Sequence, residues 1–260
     1  MPEILEIEFF RRLAEGAIGR RIAGVIAPDA WYLKAGLSAP VLADALIDAT
    51  FTTTDRRGKL LLLPTDRGPV LGLRFGMTGR LLLDGQAIIE RLQYGSTRYE
   101  PAWERLRVEF DDGGALVMSD PRRLGGVLLD PSLDDLGPDA MSVTPSQLAA
   151  ALAGSRAPLK ARLMDQRRLA GLGNLLVDET LWRAGLDPAR PAGSLTSAEV
   201  RRLHRHLRAT LAELSTAGGS HMGELMVARR RGGRCPRDGA ELERRRIGGR
   251  TTYSCPRHQR

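Results

Sequence analysis

The sequence predicts an α+β protein of more than one domain. An N-terminal helix should lead into a β-sandwich or barrel, and the second half should be helical and end in a cysteine-bearing hairpin. Three observations point there. The chain has 260 residues, enough for two cores. Its apolar periodicity changes from short strand-like runs before about Leu129 to helical spacing after Thr144. Its two cysteines, Cys235 and Cys255, each open a Cys-Pro-Arg tripeptide close to the C-terminus.

From Glu3 to about Ala17 the apolar residues Ile4, Ile7, Phe10, Leu13 and Ala14 fall at helical spacing. Pro2 stands at or before the first turn, where a missing N–H costs nothing. Between Arg21 and Leu129 the runs RIAGVIA, KLLLLP, VLGLRF, RLLLDG, LRVEF and ALVMS read as strands divided by Asp- and Gly-rich turns. Residues 130–144 read as loop. Helices are expected at Pro145–Ala153, Leu159–Gln166, Gly173–Ala184 and Ser197–Ser215, the last opened by a Thr196-to-Glu199 capping box. After Gly218-Gly219 the chain is rich in Gly and Arg. No solenoid-type repeat is present.

The formal charge is +8, and 36 of the 39 basic residues are arginine, the exceptions being Lys34, Lys59 and Lys160. High-GC codon usage accounts for much of the arginine bias but not for the net charge. His221–Arg260 carries eleven Arg against Glu224, Asp238, Glu241 and Glu243. Such a concentration favours a nucleic-acid partner. No apolar run approaches the roughly 20 residues that cross a bilayer. The start MPEILEIEFF lacks a basic leader region, so a cytoplasmic, bacterial-type protein is expected.

The cysteines define the pattern C-x2-D-x16-C-x2-H, through Cys235, Asp238, Cys255 and His258. Two matched knuckles with four metal-capable side chains suit a zinc ribbon. The alternatives are a Cys235–Cys255 disulfide, which a reducing compartment disfavours, and two unrelated thiols, against which the repeated tripeptide argues. Two thiolates, a carboxylate and a neutral imidazole on Zn²⁺ leave a net −1, against −2 for four thiolates. That suits proximity to a polyanion but gives up softer ligands.

Together these features resemble the formamidopyrimidine-DNA glycosylase / endonuclease VIII family over essentially the whole chain. Five stretches carry the likeness in the family's order: MPEILEIE, RRGKLLLL with LRFGMTGRL, DPRRLGG, LKARLMDQRRLAGLGNLLVDETLWRAGLDP, and GGRTTYSCPRHQ. The resemblance implies an N-terminal helix plus β-sandwich over 1–134, a helix–two-turns–helix domain over 135–219 and a zinc-finger hairpin over 220–260. DNA would run through a basic cleft between the halves.

By resemblance, removal of Met1 exposes Pro2 as an amine nucleophile that attacks sugar C1′. Glu3 resembles the catalytic acid that protonates the ribose ring oxygen, and Glu6 matches a position that helps hold the N-terminal site. Both acids also suit a helix N-terminus on charge alone. Lys59 is placed on phosphate at the lesion, where the bland reading is an exposed strand-end lysine. Asn174, after Gly171-Leu172-Gly173, and Arg250 would pinch the DNA backbone, although Asn174 also reads as a helix N-cap. Met77, Arg122 and Leu124 match the residues that fill the hole left by a flipped base; for Met77 and Leu124 the alternative is core packing. The purine-specific branch usually has an aromatic residue where this chain has Leu124, and a long flexible loop where only sixteen residues separate Gly218 from Cys235. His204 and His206 are expected on a solvated helix face, and His221 is given no role.

The expected activity is therefore that of a bifunctional DNA glycosylase and abasic-site lyase acting by β,δ-elimination. One structural zinc, no nucleotide cofactor, damaged double-stranded DNA as partner and a monomeric state are expected with it. The rivals are a catalytically inactive damaged-DNA-binding protein on the same scaffold and an RNA-binding zinc-ribbon protein. The intact Met1-Pro2-Glu3 start argues against the first, and the strand-rich first 130 residues against the second.

Overall fold

In a computed structural model, which describes residues 2–89 and 100–260, the chain divides into two units. One comprises Met1–Pro2 with Glu6–Leu133, the other Glu3–Leu5 with Asp134–Arg260. Met1 lies outside the described residues.

The first unit begins with α1 (Ile4–Ala14), whose last turn tightens to a 3-10 turn over Glu15–Ala17. Two antiparallel four-stranded sheets follow. One has the order β1 (Ile22–Ile26), β6 (Glu104–Phe110), β7 (Ala115–Ser119), β5 (Arg80–Leu83). The other has the order β2 (Asp55–Arg57), β3 (Leu60–Pro64), β4 (Val70–Arg74), β8 (Gly126–Leu129). This is the expected sandwich. On β6, alternate residues Leu106, Val108 and Phe110 turn into the core. Leu106 lies opposite Met118 and Val108 opposite Leu116. Strand β3 shows no alternation because both of its faces are covered. Leu61 and Leu63 join the main core with Leu71 and Leu73, while Leu60 and Leu62 pack with Leu128. Ile7, Phe10 and Ala14 of α1 belong to the same core, and the rings of Phe10 and Phe75 lie 4.4 Å apart.

One helix was not foreseen. Residues Ala39–Leu46 form α2, with Pro40 in its first turn and Leu42 and Leu46 buried. Eight residues are too few to display a clear period in a region dominated by strand-like runs.

The second unit holds α3 (Pro145–Leu152), α4 (Leu159–Met164), α5 (Asn174–Ala184) and α6 (Ser197–Ala217). Ile4 and Leu5 are part of its core, with Leu163, Leu176, Leu203 and Leu207 among others. The expected capping box opens α6. The Glu199 N–H donates to Thr196 Oγ1 at 3.3 Å, and the Thr196 N–H to Glu199 Oε2 at 2.8 Å. Strands β9 (Glu243–Ile247) and β10 (Arg250–Ser254) form the terminal hairpin around the Gly248-Gly249 turn. Among the described residues, no helix is long and apolar enough to cross a membrane.

Candidate active site and nucleic-acid interface

Pro2, Glu3 and Glu6 are all buried. Glu3 reaches a helix far along the chain. Its carboxylate accepts the backbone N–H groups of Gly173 at 2.7 Å, Leu175 at 2.8 Å and Leu176 at 3.2 Å, so it caps α5. A Cβ on residue 173 would lie 2.4 Å from Glu3 Cδ, so only glycine admits the carboxylate there. The Ile4 N–H donates to Gly171 O at 3.0 Å, which fixes the next residue as well. The amides at the start of α5 are thus largely engaged by Glu3.

Lys59, half-buried, sits in the tight turn between β2 and β3. That hairpin is tied to α1: Arg56 Nε donates to Glu8 Oε2 at 3.3 Å, and Arg11 pairs with the same carboxylate at 2.9 Å. Burial opposes charge on Glu8, but the hydrogen bonds and positive charge of Arg11 and Arg56 outweigh it and hold the carboxyl below its usual range. Sequence reasoning missed this tie because the Arg56–Glu8 and Arg11–Thr54 contacts span more than forty residues.

Met77 lies half-buried in the turn between β4 and β5, and Arg122 and Leu124 in the loop between β7 and β8. The two segments meet, since a Cβ on Gly76 would lie 2.4 Å from the Leu124 carbonyl carbon. Arg122 is exposed and Leu124 is 49% exposed, so Leu124 is not a core residue.

Asn174 is the first residue of α5, and Gly173 occupies the N-cap position, so Asn174 is not the N-cap. Its Oδ1 is buried without a hydrogen-bond partner. Arg250 is exposed where β10 leaves the Gly248-Gly249 turn. A buried ion pair joins α4 to α5 and is hydrogen-bonded to the hairpin. Lys160 Nζ lies 2.7 Å from Asp178 Oδ1 and donates to Thr252 Oγ1 at 2.8 Å and Thr251 O at 3.2 Å. Asp178 also pairs with Arg229 and accepts the Tyr253 N–H at 3.4 Å. Desolvation lowers the Lys160 ammonium's pKa despite the Asp178 charge beside it. Nothing in the sequence set Lys160 apart beyond its rarity.

Cys235, Asp238, Cys255 and His258 converge, with one ligand atom from each lying within 4.8 Å of the others. The separations include Cys235 Sγ to His258 Nδ1 at 3.7 Å, Cys255 Sγ to Asp238 Oδ2 at 3.3 Å and His258 Nδ1 to Asp238 Oδ2 at 3.0 Å. Tetrahedral bonds of about 2.0–2.3 Å place ligand atoms about 3.3–3.8 Å apart, so the group fits a small divalent ion. His258 Nε2 lies 3.1 Å from the Trp182 carbonyl, which can only accept. The ring proton therefore sits on Nε2 and the Nδ1 lone pair faces the cluster. The Trp182 indole N–H points at Cys235 Sγ, 3.2 Å away. Without a cation, burial pushes the Cys255 thiol up to about 11.

His204 and His206 depart from expectation. His204 is half-buried with Nε2 at 2.8 Å from Val143 O, and His206 is half-buried with its imidazole pKa lowered by desolvation and neighbouring arginines. Neither lies on a fully solvated face. His221 is half-buried too, and burial likewise lowers its pKa.

A model of the formamidopyrimidine-DNA glycosylase N-terminal domain matches residues 1–127, and one of the formamidopyrimidine-DNA glycosylase H2TH domain matches residues 136–224. The chain belongs to the formamidopyrimidine-DNA glycosylase family. The formamidopyrimidine-DNA glycosylase of Paracoccus denitrificans is 39% identical over 98% of this chain and 99% of its own. That of Alkalilimnicola ehrlichii is 34% identical over 100% of both. Among solved structures, the Lactococcus lactis glycosylase bound non-covalently to DNA containing an AP site matches with a TM-score of 0.82 and 27% identity over 99% of both chains. The same protein with N7-benzyl-Fapy-dG DNA gives a TM-score of 0.84 and 25% identity over 100% of both.

The alignment with the Paracoccus enzyme spans 289 positions against the 260 residues of this chain. The segment after α6 is folded down rather than extended. Ser220–Met222 and Glu224–Ala228 make 3-10 turns, and Leu225 is fully buried. The Glu179 carboxylate accepts the N–H groups of Glu224 at 3.2 Å and Leu225 at 3.0 Å.

Proposed function

We propose that this glycosylase is bifunctional. It removes an oxidised base with Pro2 as nucleophile, then nicks the strand by β,δ-elimination. The observation that carries the reading is the held N-terminus. Pro2 is buried next to a Glu3 carboxylate clamped by three backbone N–H groups, so residue 2 is a fixed point rather than a frayed end.

With Met1 removed, Pro2 presents a secondary amine. A terminal amine ordinarily titrates near 8, so a useful fraction is neutral at working pH. Its lone pair bonds to sugar C1′ as the base departs with a proton and the ribose ring opens, leaving an iminium. The Glu3 carboxylate takes up the proton that the Pro2 nitrogen loses on forming the iminium and passes it to the ring oxygen. The iminium draws electrons from C2′, a C2′ proton is lost, and the 3′ phosphate leaves. A second elimination expels the 5′ phosphate, and hydrolysis frees the amine. Glu6 helps hold the N-terminal site and Lys59 neutralises phosphate at the lesion. Asn174 and Arg250 grip the backbone, and Met77, Arg122 and Leu124 fill the vacated stack.

Catalysis is assigned to residues 1–134 and the DNA grip to 135–219 and 220–260. The metal is one structural zinc on Cys235, Asp238, Cys255 and His258, which cross-links the hairpin that carries Arg250. The partner is damaged double-stranded DNA, bound by a monomer in the bacterial cytoplasm at the nucleoid.

The deciding experiment is borohydride trapping on abasic-site DNA. A covalent adduct at residue 2 is expected, and an extra N-terminal residue should abolish it. A blocked N-terminus that still traps and nicks DNA would assign the chemistry to another amine.

A further inference from the structure

Two loops of the sandwich unit carry the three residues assigned above to the vacated stack, and a buried carboxylate lies between them. Asp120 is fully buried, yet it is an acid in the first position of the DPRRLGG segment. Five donors converge on it. Oδ1 accepts Thr78 Oγ1 at 2.5 Å and the Arg122 N–H at 3.2 Å. Oδ2 accepts the N–H groups of Leu124 and Gly125, both at 2.9 Å, and the Tyr32 hydroxyl at 3.2 Å. A carboxylate offers about four lone-pair positions, so this one is saturated. Burial and the Asp120 charge push the Tyr32 phenol above its ordinary range, so it stays a donor.

The donors come from three places in the chain. Thr78 follows Met77, while Arg122 and Leu124 offer their own amides. One carboxylate thus ties the Met77 turn to the Arg122–Leu124 loop. The loop needs such a hold. Arg123 sits at φ 57°, a left-handed conformation that costs a non-glycine residue on the order of 1 kcal/mol or more. Its guanidinium is gripped from outside by Asp29 at 2.6 and 2.7 Å, and Arg105 donates to the Asp120 carbonyl at 2.9 Å.

We propose that Asp120 is a positioning residue that sets Met77, Arg122 and Leu124 as a single rigid wedge for base eviction. It acts through those side chains and touches no substrate atom. The inference rests on the glycosylase reading and adds a separable consequence. A base lesion must be driven out of the stack, whereas a preformed abasic site has no base to evict. Loss of the wedge geometry should therefore slow excision and spare the lyase step. A misplacement of about 1 Å can cost on the order of 100-fold in rate.

The test is single-turnover cleavage of matched duplexes, one with a formamidopyrimidine lesion and one with a preformed abasic site. Asp120→Asn keeps the shape but turns an NH₂ toward donors. It should slow lesion excision by about 10-fold or more and abasic cleavage by less than about 3-fold. Thr78→Val removes only the bond to the Met77 turn. It should show the same selectivity at smaller size, and it carries the test if Asp120→Asn fails to fold. In a Met77→Ala/Arg122→Ala/Leu124→Ala background, Asp120→Asn should add little. Equal losses on both duplexes, no loss on either, or full additivity in the triple background would overturn the proposal. Wild-type protein that cleaves neither duplex would instead sink the glycosylase reading on which it rests.

Discussion

The Gly173 N–H donates to the Glu3 carboxylate at 2.7 Å, across 170 positions of sequence, and Gly173 has no room for a side chain on that side. Its φ of −126° is accessible to any residue, so the glycine is there for space alone. We predict that Gly173→Ala displaces Glu3 and, through the peptide bond, Pro2. Borohydride trapping and nicking should fall by about 100-fold. Overpacking should cost only about 1–3 kcal/mol, so the variant stays folded. Near-normal trapping by Gly173→Ala would show that residue 2 is not positioned by this contact.

The second prediction concerns Trp182. Its indole N–H on Cys235 Sγ and its carbonyl on His258 Nε2 both support the four candidate ligands from outside. Loss of such a support typically costs about 10–100-fold in metal affinity. Trp182→Phe keeps the carbonyl and loses the indole donor, so its zinc affinity should fall by that amount in competition with a chromophoric chelator. Wild-type protein purified without chelators should carry one zinc per chain. Elemental analysis showing no metal in active protein would refute the zinc assignment. Cys255→Ser should weaken DNA binding while leaving the sandwich unit's melting unchanged.

The third prediction is acid sensitivity at the start of α6. The Arg190 ion pair, followed by the Thr196 N–H bond, lowers the Glu199 carboxyl to about 2. A carboxylate with a depressed folded-state pKa stabilises above its ordinary value near 4.5 and loses that contribution as pH falls toward 2. Glu199→Gln should therefore be less stable than wild type near pH 6, by about 0.5–1 kcal/mol for this solvent-screened cap. The gap should close between pH 4.5 and 2. Thermal melts at a series of pH values measure it, and a gap independent of pH would exclude the ionised cap as its source.

These contacts show what the sequence could and could not disclose. The strand runs, the capping box and the matched cysteine knuckles are local patterns, and each appears where its spacing placed it. The partners that give the site its shape are not local. Glu3 caps a helix more than 170 residues away, Asp120 gathers Tyr32, Thr78 and its own loop, and Lys160 is buried under the hairpin. No period or motif marks a carboxylate as saturated or a lysine as buried, because those states arise only once distant segments pack. The N-cap stood as the alternative reading of Asn174 because capping is a one-residue signal, whereas the cap of α5 is supplied from the other end of the chain.

The last prediction concerns substrate. In the 8-oxoguanine-specific branch of the family that the sequence resembles, a long flexible loop between the last helix and the zinc finger caps the flipped purine. Here half of the corresponding sixteen residues form two 3-10 turns. They are pinned by Glu179 to the backbone at 224 and 225, by burial of Leu225, and by the Arg229–Asp178 pair. Releasing them to fold over a base would take two backbone donors from the buried Glu179 carboxylate and leave it only Arg183 at 2.7 Å, which is costly. Leu124, exposed and aliphatic, offers no aromatic wedge either. A pocket without the cap's backbone donors loses the hydrogen bonds that separate 8-oxoguanine from guanine. We therefore predict faster cleavage of abasic sites, oxidised pyrimidines and ring-opened purines than of 8-oxoguanine paired with cytosine. Single-turnover rates on matched duplexes measure this. A rate on 8-oxoguanine at or above those on 5-hydroxycytosine, thymine glycol and formamidopyrimidines would mean that the pinned segment does not restrict the substrate. Glu179→Gln offers a second reading of the same idea. It weakens the pin without cutting the chain, so if the segment can act as a cap, this variant should gain activity on 8-oxoguanine relative to the other lesions.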